Sequence, residues 1–213
     1  MFVMPFRPNG KPLHVHGLLS QFQRTARRNA AQLEAFAGLG VPLVGIDPAM
    51  SLVYRQEYRK VPGMNAEIDV LLPQEWLRDA VLAQKPRSAV KPSFRLLPHC
   101  TERTNATAAT GLWAEIFAKA GLSLTMPASG RCGMSGTYGH EARNRDTSAD
   151  IFALSWARHV DQARPGEAGH GELLATGYSC RCQVKRMRGE RLRHPIEALL
   201  DLYNEESGQR APD

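Results

Sequence analysis

From Gly17 to Phe36 the apolar residues Leu18, Leu19, Phe22, Ala26, Ala30, Leu33 and Phe36 recur every three to four positions, which predicts a helix with one buried face. Gly38 and Gly40 supply its stop. Pro42 to Pro48 is a short apolar run closed by Asp47-Pro48, the pattern of a buried parallel strand with a turn at its carboxyl end. Between Pro73 and Ala83, Trp76, Leu77, Ala80 and Val81 return to helical spacing. The polar, proline-bearing stretch from Ala83 to Pro92 is the predicted boundary between two domains.

Beyond that boundary the alternation becomes regular. Phe94–His99 reads as a strand, and Thr104–Ala120 as a helix with Leu112, Trp113, Ile116, Phe117 and Ala120 on its apolar side and Gly121 as its cap. Leu122–Met126 is a second strand, Ser129–Gly139 a loop, and His140–His159 a long helix carrying Phe152 and Trp156 at core spacing. Arg164–Gly169 breaks the chain, Glu172–Thr176 gives a third strand, and Pro195 opens a last helix ending near Tyr203. Strand and helix in threefold succession predict an α/β fold, a parallel sheet flanked by helices with right-handed crossovers. The carboxyl ends of the three strands then lie along one edge, where such sheets hold their ligands. Cys100, Cys132 and Cys180 follow the three strands in turn.

Composition narrows the class. The 213 residues are 43% hydrophobic and 23% charged, as in globular chains. The apolar runs are too short for a helical membrane span, and Pro5, Arg7, Pro8 and Gly10 interrupt the stretch a signal peptide would need. A cytoplasmic protein is expected, in which thiols stay reduced and four cysteines point to metal or chemistry rather than to a disulfide framework. The net charge of +6 is concentrated late, at Arg181, Lys185, Arg186, Arg188, Arg191 and Arg193, with Glu190 among them. No zinc-finger spacing and no aromatic-rich RNA-binding pattern accompanies it, so nucleic acid is not an expected partner.

Thiols gathered at a sheet edge have four readings. Inert packing treats each as a small apolar residue, but must account for three strand ends and for the pair in Ser179-Cys180-Arg181-Cys182. Structural zinc would need paired C-x-x-C knuckles, which the chain lacks. A nucleophilic cysteine would need a base such as His99 or His140. An iron–sulfur site takes thiolates from separated loops, and the glycines around Cys132 would let backbone approach a bulky cluster.

Three segments carry a resemblance: Leu97-Pro-His-Cys-Thr-Glu102, Gly130-Arg-Cys-Gly-Met-Ser-Gly-Thr-Tyr-Gly-His-Glu-Ala-Arg-Asn-Arg145 and Thr176-Gly-Tyr-Ser-Cys-Arg-Cys-Gln-Val-Lys-Arg186. They resemble the C-terminal, cysteine-rich CCG region of FAD-linked, iron–sulfur oxidases of the D-2-hydroxyglutarate dehydrogenase type. That region is shared with iron–sulfur subunits of heterodisulfide reductase, glycolate oxidase and anaerobic glycerol-3-phosphate dehydrogenase. Asn9-Gly-Lys-Pro-Leu13 and Val44–Tyr58 look like the end of a first, incomplete Rossmann-like CCG repeat, and Phe94 onward like a whole second one. The implied division is 1–90 for the partial first repeat, 91–204 for the second and 205–213 for a flexible tail.

The resemblance implies a domain that carries electrons through an iron–sulfur cluster, or scaffolds, beside a flavin domain that takes hydride from a 2-hydroxy acid. No segment resembles the flavin domain, so FAD is expected only in a partner domain or subunit and the chain is not expected to be active alone. The implied ligands of a [4Fe–4S] cluster are Cys100, Cys132, Cys180 and Cys182, with His99, Gly133, Ser135 and His140 as cofactor contacts and the glycines before His140 leaving open N–H groups at a helix start. Two departures reduce the ligand count. Arg131 stands where the family has the first cysteine of Cys-Cys-Gly, and Gln183 stands at the second position of its C-x-x-C, with Cys182 one place early. The alternative is a cluster-free interaction module docking on a flavoprotein through its basic face.

Overall fold

The helix expected near the amino terminus forms because Phe22, Ala26, Ala30 and Leu33 share one buried stripe. The computed structural model describes residues 3, 7–64, 68–80, 92–163 and 171–207, except for the side chains of 202–207. It divides into two units, Met1–Trp76 and Leu77–Asp213. The expected boundary at 83–92 falls mostly on residues 81–91, and the break at Arg164–Gly169 and the end of the tail at 208–213 also lie outside the described residues.

The first unit runs α1 (Lys11–Val15), α2 (Leu19–Ala37), β1 (Leu43–Val44), α3 (Pro48–Arg55) and β2 (Val70–Leu71), with the division between the units falling inside α4 (Pro73–Ala80). β1 and β2 pair in parallel, Leu43 against Val70 and Val44 against Leu71. The strand expected over Pro42–Pro48 is therefore two residues long, and it is not buried: Val44 is half-exposed and Ile46 is 61% exposed. The reason lies in Asp47-Pro48, which starts a helix. The Asp47 carboxylate accepts from the Met50 amide at 3.1 Å and Pro48 fills the first helical position. The core packs Phe22, Ala26 and Leu33 against Val53, Tyr58, Val61, Ile68 and Val70. Buried Tyr58 donates to the Asn9 carbonyl at 2.9 Å and accepts from the Asn29 amide at 3.1 Å, which satisfies its hydroxyl.

The second unit continues with β3 (Ser93–Leu97), α5 (Cys100–Asn105), α6 (Thr107–Lys119), β4 (Ser123–Thr125), α7 (Arg145–Asp161), β5 (Glu172–Ala175), α8 (Tyr178–Arg188) and α9 (Pro195–Ser207). The strands form a parallel sheet in the order β4-β3-β5. Helices flank it: Trp113, Ile116 and Phe117 of α6 and Ala198 and Leu199 of α9 pack with Leu96 and Leu174, while Phe152 and Trp156 of α7 and Val184 of α8 pack with Leu97, Leu173 and Ala175. The α/β fold with a parallel sheet flanked by helices is as the pattern predicts.

Three boundaries differ from the pattern. The helix expected over 104–120 begins at Cys100 and is interrupted at Ala106, whose ψ of 49° leaves the helical region. The long helix starts at Arg145, five residues after the expected His140, because Tyr138–His140 and Ala142–Asn144 form separate 3-10 turns. Residues 178–188 are helical, where the pattern predicts no element; the charged run hides an inward stripe of Cys180, Gln183 and Val184.

Candidate functional site

The carboxyl edge of the β4-β3-β5 sheet receives three short connections. After β3, His99 is the N-cap of α5: its Nδ1 accepts from the Thr101 amide at 3.1 Å, leaving Nε2 to face the Ser179 hydroxyl at 3.4 Å. Cys100, the first residue of α5, is half-buried. A buried network ties this turn to the end of β5. The His99 amide donates to Thr176 Oγ1 at 2.9 Å, Thr176 donates to the Glu102 carboxylate at 2.6 Å, and the Trp113 indole donates to the same carboxylate at 3.3 Å. Glu102 is completely buried and each of its oxygens accepts a hydrogen bond, as burial of a carboxylate requires.

After β5, Gly177 precedes α8. A Cβ on Gly177 would lie 2.3 Å from His99 Cδ2 and 3.1 Å from Cys180 Sγ, so the bare glycine is what lets the imidazole and the thiol flank the same backbone atom. Cys180 is 1% exposed.

The loop after β4 is held along its length by α7 and α8. Ala128 O accepts from Arg158 at 3.2 Å and faces His159 Nε2 at 3.1 Å; Gly130 O accepts from the Trp156 indole at 3.2 Å. Ser148 is the hub at its far end. Its hydroxyl donates to Gly133 O at 2.9 Å and accepts from Gln183 Nε2 at 3.0 Å and Arg186 Nη2 at 2.9 Å. Gly133 has φ +90°, and a Cβ there would stand 2.2 Å from Ser148 O, so the position requires glycine. Ser135 also has a positive φ, 42°, the one such non-glycine residue among those described. Backbone hydrogen bonding from Met134, Cys132 and Ser135 favours the ionised form of the Cys132 thiol.

The Cys132 thiol is 6% exposed and hydrogen-bonds the Cys180 thiol. That contact is the largest influence on it, and with the three amides it outweighs burial, bringing the thiol from its ordinary 9.0 down to about 7. Two cysteines 48 positions apart are thereby neighbours at the sheet edge.

The structure thus gathers Cys132, Cys180, Gly133 and Ser135, with His99 beside Cys180 through Gly177. It leaves others apart. His140 is exposed in a 3-10 turn and does not open the long helix, so the helix-start anion site expected there is absent. Cys182 is half-buried and hydrogen-bonds Tyr178, one turn back on α8, raising the Tyr178 phenol. Gln183, at the expected C-x-x-C position, takes the inward place instead and is completely buried. Arg131 is exposed. Met134, Ser148, Gly177 and Glu102 complete the site; the resembling segments contain all but Ser148, yet the sequence reading assigns none of them a role.

A [4Fe–4S] cluster takes four thiolate ligands. Among the described residues no group of three or more His, Cys, Asp or Glu side chains is arranged to hold a metal ion. Two of the sulfurs hydrogen-bond each other and a third a tyrosine. As arranged, these residues fit a two-thiol centre and do not fit a four-thiolate cluster.

The basic run is largely spent within the chain. Arg188 pairs with Asp161 at 2.8 Å, Arg193 with Glu172 at 2.7 Å and with Asp201, Arg191 with Glu197 at 3.0 Å, and Arg186 is committed to the loop. Among the described residues no helix is long and apolar enough to cross a membrane.

Comparison with known proteins agrees with the motifs. The chain is 57% identical over 200 residues to D-2-hydroxyglutarate dehydrogenase of Pseudomonas putida, and 45% identical over 201 residues to that of Escherichia coli. It is a partial relative of the D-2-hydroxyglutarate dehydrogenases. Each match covers 94% of this chain but only 19% of the relative, in a C-terminal part. One subunit of the anaerobic glycerol-3-phosphate dehydrogenase of Escherichia coli is 24% identical over 198 residues, 89% of this chain and 48% of that protein. No family model and no solved structure matches.

Proposed function

We propose that the chain serves as a thiol-bearing scaffold in an FAD-linked dehydrogenase of D-2-hydroxy acids, working beside a flavin-binding domain or subunit. The observation that carries this reading is the 57% identity, spread over 94% of the chain, to a protein named D-2-hydroxyglutarate dehydrogenase. Of the two forms the sequence leaves open, cluster carrier and scaffold, the pairing of Cys132 with Cys180 supports the scaffold. The engaged arginines of α8 and the segment after it argue against docking through a free basic face. The exposed Leu39, Val41, Ile46 and Met50 of the first unit supply apolar surface for a neighbouring domain.

The test is anaerobic co-expression with the flavin-binding remainder of such a dehydrogenase, followed by iron and sulfide analysis and dye-linked oxidation of D-2-hydroxyglutarate. The expected result is a stable complex with activity that requires both parts, and an isolated chain that is inactive and free of stoichiometric iron. Failure to associate overturns the reading; stoichiometric iron and acid-labile sulfide on this chain would replace the scaffold with the carrier.

A further inference from the structure

We propose that the outer edge of β1 accepts a parallel, apolar strand from outside this chain, supplied by the flavin-binding part beside which it works. The two units carry the argument, because the first matches the later part of the second element by element and in the same register. In each, a glycine in the left-handed region, Gly10 at φ +82° or Gly133 at φ +90°, stands ahead of a long helix, α2 or α7. A strand follows, β1 or β5, and then a helix, α3 or α8. The next extended residue pairs in parallel with that strand, Leu71 with Val44 and Arg193 with Leu174. The Gly45 amide donates to Leu71 O at 2.9 Å, and the Ala175 amide to Arg193 O at 3.0 Å. One residue on, the Leu72 amide donates to Glu75 at 2.7 Å and the His194 amide to Glu197 at 2.6 Å, with Pro73 and Pro195 opening the helices between.

The units differ in what lies across the strand. β5 has a second partner in β3, with Leu96 opposite Leu174 and Leu97 opposite Ala175; among the described residues β1 has only β2. Matching positions show the consequence. Leu174, Thr176 and Cys180, the third residue of α8, are buried, whereas Val44, Ile46 and Met50, the third residue of α3, are exposed. In the second unit the turn after β3 covers this end, where the His99 amide donates to Thr176. Successive amides of a strand point to opposite edges, so with Gly45 turned to Leu71 the Val44 amide faces the open one. Such an edge is a template for strand addition. Leu96 and Leu97 are completely buried, and a strand in the matching place must be apolar for the same reason. β3 precedes β5 in the chain, so its counterpart is expected ahead of β1. The D-2-hydroxyglutarate dehydrogenases match this chain over 19% of their length, in a C-terminal part, which leaves chain ahead of the match to supply it.

The source of the strand rests on the proposed function; the open edge does not. The intact chain is co-expressed with the remainder of the Pseudomonas putida dehydrogenase, and hydrogen exchange is compared by mass spectrometry between the purified complex and the chain alone. The expected result is slowed exchange across residues 39–50. Recovery of the complex should fall about tenfold or more in Val44→Lys and in Ile46→Lys, since each leaves an unpaired charge at the closed edge. Both positions are exposed, so both variants should unfold in urea as the unaltered chain does, and Leu154→Lys, on an exposed position of α7, should leave recovery unchanged. A complex that leaves 39–50 unprotected and tolerates both lysines overturns this inference while the proposed function stands. Protection of 39–50 without oxidation of D-2-hydroxyglutarate supports the inference and overturns that activity. Exchange at 39–50 that slows in the chain alone as its concentration rises assigns the edge to a second copy and overturns the inference, as does the absence of any complex.

Discussion

At Cys132 a buried thiol is easier to ionise than an exposed one, because its neighbours outweigh its desolvation. The Cys180 thiol and the amides of Met134 and Ser135 stabilise the thiolate, so alkylation of Cys132 by iodoacetamide should rise through a midpoint near pH 7. In Cys180→Ala the largest of these stabilising contacts is gone and the midpoint should move upward; an unmoved midpoint would mean the thiols do not touch. The linked effect on stability has a definite sign. The folded thiol titrates below its unfolded value of 9.0, so this contribution is complete above that value and disappears as pH falls through about 7. Gly133 offers a steric counterpart: Gly133→Ala meets Ser148 O and must hold φ +90°, which by itself costs about 1–3 kcal/mol. Urea unfolding should show the loss, and Gly136→Ala, with open space around its Cβ position, should lose less.

Among the elements, α7 and α8 matter less for their exposed charges than for the side chains that hold the Cys132 loop, Ser148, Trp156, Arg158 and His159 of α7 and Arg186 of α8. Ser148→Ala removes one hydroxyl that serves Gly133, Gln183 and Arg186; Gln183 keeps the Ser148 carbonyl at 3.2 Å, but the buried Gly133 carbonyl loses this donor, and the expected cost is about 1–3 kcal/mol in urea unfolding. His159, buried against Ala128, is held below the usual histidine range first by burial. A depressed histidine stabilises the fold while neutral, so stability should fall as pH drops below about 6.5, and His159→Gln should flatten that part of the profile. Much of this scale is legible in the sequence. Core spacing locates Phe22 to Leu33, Trp113 to Phe117, and Phe152 and Trp156, because period is a property of the chain itself. The Asp47-Pro48 pair misleads, since a helix cap and a strand-ending turn use the same two residues. Helix α8 is hidden by its basic residues and those just after it, whose partners Asp161, Glu172, Asp201 and Glu197 are supplied by other elements.

On the scale of the whole second unit, the sheet order β4-β3-β5 converts three sequence-distant cysteines into occupants of one edge. That convergence is readable in advance from strand–helix alternation. The finer choice among the sulfurs is not, because it depends on which side of α8 each residue faces: Cys180 and Gln183 point inward, Cys182 toward Tyr178. The matched stretch is 19% of the length of the two D-2-hydroxyglutarate dehydrogenases, those of Pseudomonas putida and Escherichia coli. Since most of the late arginines are already paired, association with a flavin-binding part should weaken little between low and physiological salt; a steep salt dependence would restore the basic-face alternative.

The neighbourhood of the two buried sulfurs is tested most directly by a bifunctional thiol reagent such as dibromobimane, which becomes fluorescent when it bridges two thiols. Applied to the native, reduced chain, it should bridge Cys132 to Cys180, with the signal lost in either single serine variant. Bridging of another pair, or fluorescence that appears only after unfolding in urea, would contradict the account.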